Sequence, residues 1–181
     1  MRILMLGNSF TTANHMPDML AELTGAEIVQ HTRGGERLAD QLNPKTKMGK
    51  RTQEALQNEK WDFVILQEMS NGLITSKASF LENAEKLCEK IRENGAKPVF
   101  YATWAYQRGE KKLETFGMDY DEMYQKMYDA YHEAADRNEA LIADVGKRFY
   151  EEAAKQDIFA EDGCHPNELG SKLAAQVIAD V

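Results

Sequence analysis

The chain has 181 residues, room for one domain with a real core, and its formal charge of −8, with Lys45 to Arg51 and Lys111-Lys112 as the nearest things to a basic patch, argues against a phosphate-tracking nucleic-acid surface. Its two cysteines, Cys88 and Cys164, lie too far apart in sequence for a CxxC metal pair and form no disulfide framework. No apolar run approaches the roughly 18 residues of a membrane span and no leader pattern precedes the first strand, so a soluble, cytoplasmic, single domain over residues 1–181 is expected.

The opening stretch, MRILMLGNSF, organises the rest. Ile3 to Leu6 is an unbroken apolar run stopped by Gly7, Asn8 and Ser9, the pattern of a strand buried on both faces that ends in a tight turn. Such a turn delivers the Ser9 hydroxyl to the carboxyl end of a parallel sheet, where ligands bind. Thr11, Thr12 and Asn14 offer caps for a helix with Pro17 in its first turn, Met19, Leu20 and Leu23 facing inward, and a stop at Gly25. Its amino end would place free N–H groups near the serine. Glu27 to Thr32 reads as a second strand, and the glycines of Arg33-Gly34-Gly35 permit close backbone approach directly after it.

Glu36 to Lys60 is weakly helical, with Leu38, Leu42, Ala55 and Leu56 as apolar positions and a break at Asn43-Pro44. Asp62 to Gln67 is a third strand running into Glu68, Met69, Ser70, Asn71 and Gly72. Ser79 to Asn94 is an amphipathic helix closed by Gly95, with Cys88 on its apolar stripe as a small core residue. Lys97 to Trp104 is a fourth strand, and Tyr106 to Gly117 lacks a period, as a rim loop would. Trp104 and Tyr106 then pack this loop or line a pocket, with packing preferred. The Met and Tyr stripe of Asp119 to Asn138 reads as a helix's core face, and His132 beside it as exposed or locally bonded. A short strand, Ala140 to Val145, a helix near Lys147 to Lys155, a loop through Ile158 to Pro166 and a helix from Asn167 complete the chain.

The loop from Glu161 to Asn167 reads EDGCHPN and changes the weight of Ser9. Asp162 and His165 are three apart, Pro166 restricts the His backbone, and Asn167 can cap the next helix. A carboxylate there can turn back onto the imidazole, fix its tautomer and leave the other ring nitrogen free to take a proton. A serine hydroxyl becomes a nucleophile once such a base is within hydrogen-bond reach. Cys164, adjacent to His165 in sequence, points away from it in the usual geometry, which disfavours a thiol enzyme.

Together, GNS after strand one, a glycine pair after strand two, amides after strand three and DxxHPN before the last helix resemble the SGNH or GDSL hydrolase family, in its block order from Gly7 to His165. The resemblance implies an α/β fold: a three-layer α/β/α sandwich with a flavodoxin-like parallel sheet of about five strands. It also implies ester hydrolysis with Ser9 as nucleophile, His165 as general base and Asp162 as its orienting carboxylate. Gly35 is similar to the family's oxyanion glycine, with the Ser9 N–H as a second donor. The third block departs from the pattern, since QEMSNG stands where the family has Gly-x-Asn-Asp. Gln67 or Asn71 supplies the amide, and Gln67 is preferred for its strand anchor.

The expected activity is serine esterase, on small acetyl-type esters with carbohydrate-linked ones as an option, through an acyl-enzyme and with no metal or organic cofactor. The expected partner is a small-molecule ester, not nucleic acid or membrane; no residue fixes the oligomeric state. The missing Gly-x-Asn-Asp block keeps open a non-catalytic binder of a glycan or small polar ligand, and no residue separates hydrolase from acyltransferase.

Overall fold

The computed structural model describes residues 1–181. Strands β1 (Arg2–Gly7), β2 (Glu27–Thr32), β3 (Phe63–Leu66), β4 (Lys97–Tyr101) and β5 (Leu141–Ala143) form one parallel sheet in the order β2-β1-β3-β4-β5. From β1 the chain steps first to β2 on one side and then to β3 on the other. That reversal is the topological switch point of a flavodoxin-like sheet, and it opens a crevice at the carboxyl end of β1.

The pleat explains the layers. Successive side chains of β1 point to opposite faces, so Leu4 and Leu6 join one core while Ile3 and Met5 join another. The first core is closed by α6 (Lys77–Asn94) and α8 (Tyr120–Arg137) through Leu87, Cys88, Ile91, Met123, Met127 and Tyr131. The second is closed by α2 (Met16–Thr24), α9 (Val145–Glu152) and α10 (Glu168–Ala179) through Leu20, Phe149, Leu173 and Ile178. The result is the expected three-layer α/β/α sandwich. Cys88 is fully buried in the first core, and burial pushes its thiol up to about 12.

Several boundaries differ from the sequence reading. The helical turn α1 (Ser9–Thr12) starts at the serine itself, capped by Asn8, and a 3-10 turn at Ala13–His15 separates it from α2. Helices α3 (Leu38–Leu42) and α4 (Lys47–Asn58) flank the expected break, and Thr46 caps α4 through the Gly49 N–H. Two short helices stand where none was expected, α5 (Ser70–Thr75) and α7 (Lys111–Thr115). Strand β4 stops at Tyr101, short of Trp104, because its neighbour β5 ends at Ala143 and the ladder has no further partner. His132 is locally bonded, 2.9 Å from the Asp144 carboxylate that caps α9. No helix is long and apolar enough to cross a membrane.

Candidate active site

Ser9 follows β1 by two residues, and its turn is tightly held. A Cβ at Gly7 would lie 2.5 Å from Thr11 Oγ1 and 2.6 Å from Gln67 Oε1, so only glycine lets the chain pass here. Asn8 caps α1 by accepting from the Phe10 N–H at 3.1 Å. The Ser9 N–H, at the first helical position, has no acceptor within the chain.

The chain brings its other end to this turn. Ser9 Oγ is 2.9 Å from His165 Nε2, across 156 positions of sequence, and His165 Nδ1 is 2.5 Å from Asp162 Oδ2. The second Asp162 oxygen accepts the N–H groups of Cys164 and His165 at 3.0 and 2.9 Å. Partial burial pushes the Asp162 carboxyl up, but the bonds from the His165 ring and these two N–H groups outweigh it and hold its pKa at about 2. An ionised carboxylate only accepts, so Nδ1 carries the ring proton and Nε2 of the neutral ring is free to accept from the Ser9 hydroxyl.

The loop around His165 is closed by a bridge between Phe159 and Pro166 and by the Ala160 N–H donating to the His165 carbonyl at 2.9 Å. As expected, Asn167 caps the helix that follows, accepting from the Gly170 N–H. An aromatic column fixes the ring. Phe10 meets His165 edge-on at 5.1 Å and stacks on Trp104 at 5.0 Å, and Trp104 stacks on Phe149 at 3.9 Å. Trp104 is buried and donates its indole N–H to the Cys164 carbonyl at 3.0 Å, so it packs and does not line an opening. Cys164 is buried and its Sγ lies 3.1 Å from Lys112 Nζ; burial pushes this thiol up against the pull of that ammonium.

Asn14 ties the two ends together and was not singled out in the sequence as a site residue. Its side chain donates to the Pro166 carbonyl and to the Ser171 hydroxyl, each at 2.9 Å. Asn14 and His15 both adopt left-handed backbone, with φ of 51° and 58°. Asn tolerates that region better than most residues, and the helix cap expected of Asn14 is not made, since no side chain caps α2.

The loop after β2 and the segment after β3 carry the other candidate oxyanion donors. Gly35 sits in a turn closed by the Glu36 N–H and the Arg33 carbonyl, with φ of 71°, and its exposed N–H has no acceptor within the chain. Asn8 joins this turn to the serine by donating its side-chain N–H to the Glu36 carbonyl at 3.1 Å. Asn71, on α5, accepts from Arg37 Nη2 at 3.4 Å and keeps its own Nδ2 without an acceptor in the chain.

Gln67 does not occupy the role expected of it. It is 1% exposed, and its Oε1 accepts the Asn8 N–H at 2.9 Å and the Thr11 hydroxyl at 3.0 Å, while its Nε2 donates to the Glu68 carbonyl at 2.6 Å. A backbone N–H can only donate, so Oε1 must face it and the amide orientation is set. The side chain is turned into the protein, and Asn71 is left as the amide with a free donor. No group of three His, Cys, Asp or Glu side chains stands close enough to hold a metal ion.

A family model described as a domain of unknown function, DUF4886, matches residues 40–147. A candidate SGNH hydrolase from Slackia heliotrinireducens is 52% identical, with a TM-score of 0.96 over 99% of this chain and 97% of its own. Two more distant structures share the fold. A DUF4886 protein from Bacteroides uniformis has 20% identity and a TM-score of 0.76 over 99% of this chain and 82% of its own. The acetyl xylan esterase AlAXEase has 17% identity and a TM-score of 0.75 over 98% of each chain. No curated protein matches the sequence. This chain belongs to the DUF4886 family, a divergent branch of the SGNH hydrolases.

Proposed function

We propose that this SGNH-family member is a serine esterase acting on short acyl esters, with residues 1–181 working as one catalytic domain. The observation that carries the reading is the unbroken line from Ser9 Oγ through the His165 ring to Asp162, at 2.9 and 2.5 Å. Ser9 attacks the acyl carbonyl while its proton passes to His165 Nε2, and Asp162 stabilises the imidazolium that forms. The negative oxygen of the tetrahedral intermediate takes the N–H groups of Ser9 and Gly35 and the amide of Asn71. His165 then protonates the departing alcohol, leaving Ser9 acylated. Water, deprotonated by the same nitrogen, attacks the acyl-enzyme and releases the acid and the serine.

The openness of the site supports a short acyl group on a bulky alcohol. The His165 and Asp162 side chains are 38% and 41% exposed. A cavity of about 570 Å³ lies elsewhere, lined by residues such as Arg108, Tyr120 and Tyr150. Acetyl esters of carbohydrates fit this description, and a fold neighbour described as an acetyl xylan esterase agrees with it. Turnover of p-nitrophenyl acetate that disappears in Ser9→Ala, with a fluorophosphonate adduct on Ser9 by mass spectrometry, tests the reading. Turnover unchanged by the substitution refutes it.

A further inference from the structure

Strand β3, third of the five in sheet order, is followed directly by Gln67-Glu68, and both side chains turn inward, with 1% and 3% exposure. Each reaches a different loop. Gln67 Oε1 holds the Asn8 N–H and the Thr11 hydroxyl, one residue before and two residues after Ser9. Glu68 divides its carboxyl group, taking the Met69 N–H on Oε1 at 2.7 Å and the Leu38 N–H on Oε2 at 3.2 Å. Leu38 opens α3 three residues after Gly35, and Asn8 holds the intervening Glu36 carbonyl. The Glu68 backbone is itself fixed, its N–H donating to the Tyr131 hydroxyl at 3.1 Å.

We propose that the Gln67-Glu68 pair is a positioning device for the oxyanion site: Gln67 sets the direction of the Ser9 N–H and Glu68 that of the Gly35 loop. Neither side chain touches the substrate. Both act through backbone, from the sheet's interior, so that two free N–H groups on separate loops converge on one point. An oxyanion site works because its donors are aimed before charge develops, and aim is lost when either loop drifts. This rests on the serine-esterase reading and accounts for the departure from Gly-x-Asn-Asp: the residues at the strand end brace the backbone donors.

The test compares wild type with Gln67→Met, Gln67→Glu and Thr11→Val, measuring kcat and KM on p-nitrophenyl acetate per fluorophosphonate-titrated site. Gln67→Met leaves the Asn8 N–H without its acceptor; kcat is expected to fall about tenfold to a hundredfold with KM within about twofold, the signature of lost transition-state stabilisation. Gln67→Glu at pH 6 is expected to stay within about threefold of wild type, because a buried protonated carboxyl repeats the accept-and-donate pattern of the amide. Thr11→Val removes one of the two contacts on Oε1, should Gln67→Met not fold, and is expected to lower kcat severalfold. Unchanged kcat in folded Gln67→Met or Thr11→Val overturns the proposal, as does a loss confined to KM. Wild type that neither turns over the ester nor labels at Ser9 refutes the esterase reading and this proposal with it; active wild type with unaffected variants refutes the brace alone.

Discussion

Asn14 donates to the Pro166 carbonyl at 2.9 Å, so a residue five positions after Ser9 is bonded to the residue directly after His165. Its second hydrogen goes to the Ser171 hydroxyl, which in turn reaches the Ala13 carbonyl at 3.2 Å. This clasp is the most direct polar link, apart from the Ser9–His165 contact itself, between the two ends of the chain that build the site.

Replacing Asn14 separates the clasp from the backbone. Asn14→Ala loses both bonds and keeps a Cβ at a φ of 51°, and is expected to cost about 2 to 3 kcal/mol in urea unfolding. Asn14→Gly loses the same bonds without the strain and is expected to cost less. Both are expected to lower kcat about tenfold, because the Ser9–His165 distance is no longer tied; Asn14→Gly with full kcat shows that the clasp is not needed for alignment.

Asp162 makes a testable statement about acid stability. Its folded pKa of about 2 lies below the ordinary 3.8, so its stabilisation is present above pH 3.8 and is lost as pH falls through 2. The unfolding free energies of wild type and Asp162→Asn are therefore expected to converge in that window. At 41% exposure, solvent screening keeps the difference within about 1 kcal/mol. In the same variant kcat is expected to fall about 10² to 10⁴-fold, because an amide N–H facing Nδ1 favours the wrong tautomer.

Glu68 has the opposite sign. Burial pushes its carboxyl up to about 7, against the N–H bonds from Met69 and Leu38 and the charge of Arg37, with Asp40 adding to the rise. The folded state then keeps a proton that the unfolded chain releases above about 4.5, so the contribution of this group to stability declines as pH rises from 4.5 to 7 and is level beyond. Glu68→Gln removes the titration. The wild-type advantage over it is expected to be greatest near pH 4.5 and smallest near pH 8 by chemical denaturation; a constant difference shows that Glu68 does not titrate in this range.

What the sequence determined by itself is local and short-ranged. The apolar run of β1, with Leu4 and Leu6 on one core and Ile3 and Met5 on the other, already implied helices on both faces of a parallel sheet. The Asp162–His165 spacing implied their bond, and Asn167 announced its helix, because turn closure and capping depend on side chains three residues apart. Tertiary structure decided where each polar group at the rim points. Gln67 turns inward because its acceptor oxygen meets an N–H 59 positions away, a contact no local pattern encodes. Asn14 enters the left-handed region because carbonyl and hydroxyl partners more than 150 positions away hold it there. Helix α5 forms where no helix was expected because Leu73 finds a buried place in the core. Periodicity says which face is buried, but the aim of a hydrogen bond at a strand end waits on the partner that packing brings to it.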